Sequence, residues 1–218
     1  LTDAAPASTT PYADGKILLS HDDGVALIRF NNPEKHNAMS VEMWEGLGFA
    51  LTAARDDERT RVLVLAGEGG KAFVSGADIS QFESQRSTPA EREAYARRSG
   101  AWRSLLGDFP KPTIASIRGY CIGGGLGLAL ATDIRIASQK SFFGIPAAKL
   151  SIAYPFGGLK ALTQLVGPSW ARLLLYTAMR IEGDEAERIG LVTRLVPDDQ
   201  LEAATLEMAR SIAANAPL

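Results

Sequence analysis

The stretch that decides the fold is Gly-Tyr-Cys-Ile-Gly-Gly-Gly-Leu-Gly-Leu-Ala-Leu-Ala, residues 119–131. A short β-branched segment, Thr113–Ile117, leads into it and predicts a strand. The apolar run after the three consecutive glycines is rich in good helix formers and predicts a helix. The first amides of a helix have no partner within it and lie at the positive end of its dipole. The stretch therefore predicts bare amides directed at an electron-rich group.

Four interpretations of these glycines can be compared, and the sequence excludes two of them. A dinucleotide-binding fingerprint needs a third small residue in register, and Leu128 or Leu130 stands there instead. A Walker-type phosphate loop needs Gly-Lys-Ser/Thr, which does not follow. Close packing of the helix on a sheet and an oxyanion site of amides aimed at a carbonyl oxygen both remain open.

An oxyanion site needs a second donor from elsewhere in the chain. Ser75-Gly76-Ala77-Asp78-Ile79 also follows an apolar segment and precedes a short helical pattern, for which Asp78 is a suitable N-cap. The segment can supply that donor.

Composition narrows the class of protein. The chain has 218 residues, 46% hydrophobic and 22% charged, with a net charge of -2. This balance is typical of a globular domain and gives no indication of a nucleic-acid or membrane partner. One cysteine and two histidines predict neither a disulfide nor a metal site.

The domain prediction is one core with two short flanks. Residues 1–15 lack the pattern of a secretory signal and predict a flexible leader. Residues 16–200 alternate strands and helices, which predicts an α/β core. Residues 201–218 predict the start of a C-terminal helical region, whose turn-like end is compatible with a chain that continues. We expect a cytoplasmic protein.

The predicted elements follow hydrophobic periodicity and turn residues. Predicted strands are 17–20, 25–30, 61–66, 113–117, 134–137, 141–145 and 191–196. The continuous apolar run within 61–66 predicts a strand in a sheet that is covered on both faces. Predicted helices are 40–55, capped by Ser40, then 92–106, 156–166, 169–179, 184–189, and 201–214. The first of these helices has one apolar stripe, formed by Val41, Trp44, Leu47 and Leu51. In the helix at 184–189, Asp184 is the predicted N-cap and Glu187 its capping-box partner. Residues 81–90 are polar, and we expect them to be mobile.

Several motifs together resemble the crotonase superfamily, also called the enoyl-CoA hydratase/isomerase family. The strongest are Phe-Val-Ser-Gly-Ala-Asp-Ile at 73–79 and the glycine stretch at 119–127, followed by Ala-Thr-Asp-Ile-Arg-Ile-Ala at 131–137. Weaker ones are Asn-Pro-Glu-Lys-His-Asn-Ala-Met at 32–39, Phe-Gly-Ile-Pro at 143–146 and Gly157-Gly158. They occur in the family's order and spacing from about residue 25 to the end.

The resemblance implies a repeated ββα spiral with flanking helices, trimers or dimers of trimers, and acyl-CoA thioester substrates with no other cofactor. It implies that the backbone amides of Ala77 and Gly124 are the oxyanion donors. It also implies a substrate and CoA channel lined by Lys35, His36, Ala38, Ser75, Ala77, Asp78, Ile79, Gly124 and Ala147.

The chain departs from the family's hydratase pattern at two positions. Hydratases of the family carry one glutamate three residues after the middle glycine and another directly after the proline of Phe-Gly-x-Pro. Here these positions hold Gly127 and Ala147, neither of which can transfer a proton. Tyr154 is our candidate replacement acid or orienting donor. Alternatives are His36, Glu83 and Lys149, whereas Cys121 is more typical of packing.

Two functions follow from the sequence. The first is an enzyme that stabilises a thioester enolate, with isomerisation, decarboxylation or thioester hydrolysis open and ordinary hydration doubtful. The second is a catalytically weak acyl-CoA binding or scaffold member of the same fold.

Overall fold

A computed structural model describes residues 9–78 and 89–216 of the chain. Several predictions fall on residues outside these ranges. They are the short helix predicted to begin at Asp78, most of the polar segment at 81–90, and the candidate residues Ile79 and Glu83. Within the two ranges, the helices and strands form two sheets with helices packed against them.

The described strands are β1 Thr9–Tyr12, β2 Ile17–Asp22, β3 Val25–Phe30, β4 Val62–Gly67, β5 Ala72–Val74, β6 Thr113–Ile117, β7 Tyr120–Ile122, β8 Ile134–Ser138, β9 Phe142–Gly144, β10 Arg180–Glu182 and β11 Arg194–Val196. The described α-helices are α1 Val41–Asp56, α2 Pro89–Gly107, α3 Gly124–Leu130, α4 Phe156–Thr177, α5 Gly183–Arg188 and α6 Leu201–Ala213.

The two sheets share a repeating connection. The larger has the order β1-β2-β3-β4-β6-β8-β11, and the smaller has the order β10-β9-β7-β5. The chain alternates between them, with β4, β6 and β8 parallel in the large sheet and β5, β7 and β9 parallel in the small one. This alternation of two strands with an intervening helix confirms the predicted ββα spiral.

The helices cover both faces of the large sheet. Because side chains alternate along β4, Leu63 and Leu65 join the core beneath α1, α2 and α3, whereas Val64 joins a separate cluster beneath α6. Helix α1 begins as predicted, with the Ser40 hydroxyl accepting a hydrogen bond from the Met43 amide. A sheet covered on both sides explains the continuous apolar run of β4.

The structure corrects several predicted boundaries. The flexible leader predicted for residues 1–15 extends too far, because Thr9–Tyr12 forms a strand that pairs antiparallel with Ile17–Ser20. The three-residue strands β5, β7 and β10 were not predicted, since such short segments carry too little periodicity. The predicted strand at 191–196 is confined to Arg194–Val196. The predicted break between the helices at 156–166 and 169–179 is confirmed, because the backbone of Phe156–Thr177 leaves the helical conformation at Gly167, where φ is 74°.

The predicted N-cap at Asp184 is wrong. Helix α5 begins at Gly183 with Glu182 in the cap position, so Asp184 lies inside the first turn. Glu187, the expected capping-box partner, instead accepts a hydrogen bond from the Leu195 amide at 2.8 Å. Asp184 and Glu185, in the first turn of this helix, still lie at the positive end of its dipole, which stabilises negative charge.

Among the described helices, none is long and apolar enough to cross a membrane.

Candidate active site

The two glycine-containing segments predicted to act together lie at the ends of neighbouring strands. β5 leads into residues 75–78, and β7 leads into Gly123 and Gly124. β5 and β7 are parallel partners, with Val74 opposite Cys121. The carboxyl ends of parallel partners meet at the same edge of a sheet, which brings the two segments side by side.

Their closeness can be measured at Gly124. A Cβ atom built at Gly124 would lie 3.9 Å from the carbonyl carbon of Gly76, the atom bonded to the Ala77 nitrogen. A Cβ at Gly76, where φ is 121°, would lie 3.5 Å from the carbonyl oxygen of Ile122. The peptide nitrogens of Ala77 and Gly124 therefore border one small space.

A short parallel bridge sets the direction of the Ala77 amide. The Met39 amide donates to the Gly76 carbonyl at 2.8 Å, and the Asp78 amide donates to the Met39 carbonyl at 2.9 Å. In a parallel bridge, the residue between these two bonds directs its own N–H to the opposite side. Ala77 is that residue, so its N–H points away from Met39.

Neither amide has a hydrogen-bond acceptor within the described ranges. The Ala77 amide donates no hydrogen bond there, and Gly124 is the first residue of α3, whose earliest helical bond runs from Gly127 to Gly123. The first amides of a helix are unpaired by geometry. Both N–H groups therefore lack an acceptor among residues 9–78 and 89–216.

The packing interpretation is correct for two other glycines of the same stretch. A Cβ at Gly125 would lie 2.0 Å from the Val74 carbonyl oxygen. A Cβ at Gly119, where φ is 67°, would lie 2.0 Å from the Lys71 carbonyl oxygen. Both distances are impossible for a side chain, so these glycines permit close packing, while Gly124 borders the open edge.

The loop before α1 is fixed by Asn37, which the sequence analysis did not single out. Asn37 is fully buried, and its side chain accepts from the Asn32 amide at 2.8 Å. It donates to the carbonyls of Glu68 at 3.0 Å and Ala72 at 2.8 Å. The φ of 56° at Asn37 is one that asparagine tolerates better than most residues. Asn37 therefore ties this loop to β5.

The predicted channel residues of this loop lie beside the 75–78 segment. Lys35 pairs with Asp78 at 2.8 Å, and the Ser75 amide donates to the His36 carbonyl at 3.2 Å. The His36 ring is exposed and lies 6.0 Å from the Tyr120 ring. Ala38 is half-buried. The predicted channel residues of the two segments thus lie next to one another. They are Lys35, His36, Ala38, Ser75, Ala77 and Asp78.

Tyr154 lies against the helix that carries the glycines. A Cβ built at Gly127 would lie 3.5 Å from the Tyr154 hydroxyl, and one at Gly158 would lie 2.7 Å from Cε1 of its ring. The hydroxyl is buried and has no hydrogen-bond partner among the described residues. Burial raises the pKa of Tyr154 to about 12, partly offset by the charge of Arg103. Tyr154 is therefore protonated at neutral pH.

Two stacked tryptophans lie beside Gly124. The rings of Trp44 and Trp102 stack with centroids 4.9 Å apart and an angle of 10° between their planes. Cζ2 of Trp44 lies 3.4 Å from the Cβ position of Gly124. Trp44 was predicted only as part of the apolar stripe of α1. Its place in the site depends on a contact with α2 that periodicity does not reveal.

The remaining candidates are less central. Ala147 is half-buried and follows Pro146, whose ring lies 3.7 Å from the Cβ position of Gly123. Lys149 is exposed. Cys121 is fully buried, and burial raises its thiol pKa far above the ordinary range, so it is suited to packing. Across residues 9–78 and 89–216, no cluster of three or more histidine, cysteine or acidic side chains could hold a metal.

A cavity of about 340 Å³ lies elsewhere, beneath α6 on the other face of the large sheet. Its lining includes Arg29 and Arg118, which pair with Glu68 at 3.0 Å and Asp198 at 3.6 Å. It does not include the two amides, Tyr154 or the tryptophans, so it is separate from the candidate site.

Comparison with known proteins identifies the family. Residues 20–218 match the model of the enoyl-CoA hydratase/isomerase family. The chain is 34% identical to the short-chain-enoyl-CoA hydratase of Clostridium acetobutylicum, over 93% of this chain and 77% of that protein. It is 40% identical to the crotonyl-CoA hydratase of Syntrophomonas wolfei, over 85% of this chain and 70% of that protein.

Solved structures give the same result. An enoyl-CoA hydratase from Bacillus anthracis superposes with a TM-score of 0.88 at 33% identity, covering 93% of this chain and 78% of that one. An enoyl-CoA hydratase/carnithine racemase from Magnetospirillum magneticum gives a TM-score of 0.89 at 35% identity, covering 93% and 76%. The chain belongs to the enoyl-CoA hydratase/isomerase family.

Proposed function

We propose that the protein is an enzyme that binds an acyl-CoA thioester and stabilises its enolate between the amides of Ala77 and Gly124. The observation that carries this proposal is the convergence, at the ends of β5 and β7, of two N–H groups that have no acceptor in the described part of the chain. The names of the related proteins, which refer to enoyl-CoA and crotonyl-CoA, support the substrate class.

The chemistry follows from where negative charge develops. When a bond to the carbon next to the thioester carbonyl breaks, its electron pair moves onto the carbonyl oxygen. Two amides fixed by β5, β7 and the Met39 bridge can stabilise that oxygen without rearranging. One such donor typically contributes roughly 3 kcal/mol to the transition state.

The proton-transfer group is proposed to be Tyr154. Gly127 and Ala147 stand where the family resemblance implies the two hydratase glutamates, and neither side chain can move a proton. Tyr154 borders Gly127 with a buried, protonated hydroxyl that has no partner among the described residues. In a decarboxylation, the bond to the carboxylate breaks, CO₂ leaves and the electron pair forms the enolate; the protonated phenol can then donate to the enolate carbon and regain its proton from water. The missing carboxylates at 127 and 147 make standard hydration doubtful and leave isomerisation, decarboxylation or thioester hydrolysis open.

The CoA portion is proposed to follow the surface formed by Lys35, His36 and residues 75–78. A lysine ammonium at this surface suits phosphate oxygens as a point charge. By family resemblance we also propose a trimer or a dimer of trimers. Large apolar side chains exposed on α4, including Phe156 and Tyr176, support an assembly.

The second candidate function is an acyl-CoA binding or scaffold protein with little catalysis. The absence of a carboxylate at Gly127 and Ala147 favours it. The test incubates the protein with crotonyl-, malonyl-, methylmalonyl- and 3-enoyl-CoA and follows products by mass spectrometry. Turnover of any of them supports the enzyme. Tight binding of CoA esters without turnover supports the scaffold, and no binding of any CoA ester overturns both.

A further inference from the structure

Arg135, on β8, is a buried cation whose hydrogen bonds within the described ranges all go to backbone carbonyls. The residue is only 4% exposed. Burial lowers the pKa of its guanidinium, and the charge of Asp133 raises it by less. An arginine still keeps its charge inside a protein. A buried charge is costly unless its hydrogen bonds are well made, so the position of Arg135 calls for a reason.

The carbonyls that Arg135 binds belong to the end of α3 and to the segment before β11. Its Nη1 atom donates to the Thr132 carbonyl at 2.6 Å and to the Ala129 carbonyl at 3.3 Å. Its Nε atom donates to the Leu191 carbonyl at 2.9 Å. The last carbonyls of a helix have no amide partner within it, and a cation there is favourable. Arg135 therefore fastens the carboxyl end of α3 to the chain before β11.

The Thr132 hydroxyl strengthens the same connection. Thr132 is buried, and its hydroxyl lies 2.9 Å from the Ala129 carbonyl oxygen and 3.2 Å from that of Ile134. Ile134 and Arg135 both belong to β8, which pairs with β6 on one side and β11 on the other. We call these side-chain bonds of Thr132 and Arg135 the α3 joint. The joint ties the end of the helix to a central strand of the large sheet.

The opposite end of α3 carries the Gly124 amide. The helix has only seven residues, which makes it about 10 Å long, so a shift at one end is transmitted to the other. Near the amino end, Gly125 packs so closely on β5 that a Cβ there would lie 2.0 Å from the Val74 carbonyl oxygen. With both ends held, the Gly124 N–H has a fixed direction before any ligand binds. A donor fixed in this way needs no rearrangement as charge develops.

We propose that Arg135 and the Thr132 hydroxyl are positioning residues for the reaction: they hold the carboxyl end of α3 so that the Gly124 amide stays directed at the thioester oxygen. This inference rests on the proposed function, since it needs that oxygen to bind at Gly124. Neither side chain has to touch the substrate. A misplacement of about 1 Å in a catalytic group can lower a rate about 10²-fold, so a distant support of this kind has a measurable effect.

The carbonyl signal of a bound thioester tests the alignment directly. The protein is titrated with butyryl-CoA labelled with ¹³C at the thioester carbonyl, whose signal moves downfield when its oxygen accepts hydrogen bonds. Arg135→Lys keeps the positive charge and removes the planar fork. We expect this variant to lose about half or more of the downfield shift while its Kd for butyryl-CoA changes less than about threefold, since most contacts with CoA lie elsewhere.

The outcomes of this titration separate the two proposals. An unchanged carbonyl shift in a folded Arg135→Lys protein overturns the positioning role and leaves the oxyanion site intact. No downfield shift in the wild type overturns the oxyanion site and the positioning role with it. Circular dichroism checks the fold. Thr132→Val, which keeps the shape of the side chain and removes its hydroxyl, takes the place of Arg135→Lys if the latter does not fold, and an unchanged shift there has the same meaning.

Kinetics separate positioning from stability. With the CoA ester that the wild type converts fastest, we expect kcat to fall about ten- to hundredfold in Arg135→Lys and about two- to fivefold in Thr132→Val, with KM nearly unchanged. Thr205→Val is the matched control. It removes a buried hydroxyl that bonds Ser116 at 2.9 Å and the Leu201 carbonyl at 2.8 Å beneath α6, and its kcat should stay within about twofold of wild type. Equal losses of kcat in Thr132→Val and Thr205→Val would assign the α3 joint to stability alone.

Discussion

The hydroxyl of Tyr154 lies 3.5 Å from the point at which a side chain on Gly127 would begin. The glycine therefore leaves space into which the phenol reaches. The ring also needs a small residue at Gly158, where a Cβ would lie 2.7 Å from Cε1. Tyr154, Gly127 and Gly158 thus form one steric unit.

Tyr154→Phe should reduce turnover without reducing stability. The hydroxyl is buried without a described partner, so its removal should leave the free energy of unfolding unchanged or raise it by about 1 kcal/mol. If the phenol moves a proton in the reaction, kcat should fall by about 10²–10⁴-fold. Thermal unfolding and kcat measured on the same preparation test both parts. Unchanged kcat would assign Tyr154 to packing.

The Tyr154 hydroxyl should ionise near pH 12, because burial disfavours the phenolate. An unfolded chain ionises its tyrosines near pH 10, so between about pH 10 and 12 the folded state retains a proton that the unfolded state has lost. Stability contributed by this group is present below pH 10 and is lost as the pH rises through this window. The difference in absorbance at 295 nm between wild type and Tyr154→Phe reports the midpoint. A midpoint near 10 would contradict a buried hydroxyl.

Gly124→Val should abolish most activity in a protein that remains folded. Its Cβ would meet Cζ2 of Trp44 at 3.4 Å, and its methyl groups would fill the space next to the Ala77 amide. Loss of one oxyanion donor typically lowers kcat by about 10²–10³-fold. Gly157→Ala is the matched control, because nothing lies within 4 Å of its Cβ position. Wild-type turnover by Gly124→Val would rule out the assignment of that amide.

The double variant Gly127→Glu with Ala147→Glu should gain hydration of crotonyl-CoA, because it restores two groups able to transfer protons. The new carboxylate at 127 begins beside the Tyr154 hydroxyl and competes with it for space. Adding Tyr154→Ala should therefore increase the gain. The decrease in absorbance of the enoyl thioester measures the reaction. No hydration by either variant would indicate that the shape of the pocket, as well as its carboxylates, differs from that of a hydratase.

Asn37→Ala should destabilise the fold by about 2–4 kcal/mol, because it removes three hydrogen bonds of a fully buried side chain and puts alanine at a φ of 56°. Asn31→Ala removes one bond, to the Gly15 carbonyl at 2.9 Å, and should cost about 1 kcal/mol. Urea unfolding of both variants makes the comparison. Equal losses would show that Asn37 does not fix the loop more strongly than Asn31 does.

Local pattern predicted much of this architecture. Ser40 before the apolar stripe of α1 predicted both the start of the helix and the face that it buries, because capping and periodicity act within a few residues. The continuous apolar run of β4 predicted a strand covered on both sides. The same reasoning failed at Asp184, where an interaction of Glu187 with β11 replaced the expected capping box.

The sequence by itself determined which residues could take part in the site. It marked the glycine run at 123–125 and the segment at 75–79, and it showed that residues 127 and 147 carry no carboxylate. Only the tertiary structure decided which of these groups meet. Ala77 and Gly124 converge because two three-residue strands pair in parallel, and such strands are too short to leave a periodic pattern. The tryptophan stack and the place of Tyr154 beside Gly127 likewise come from packing between distant elements, which no local pattern encodes.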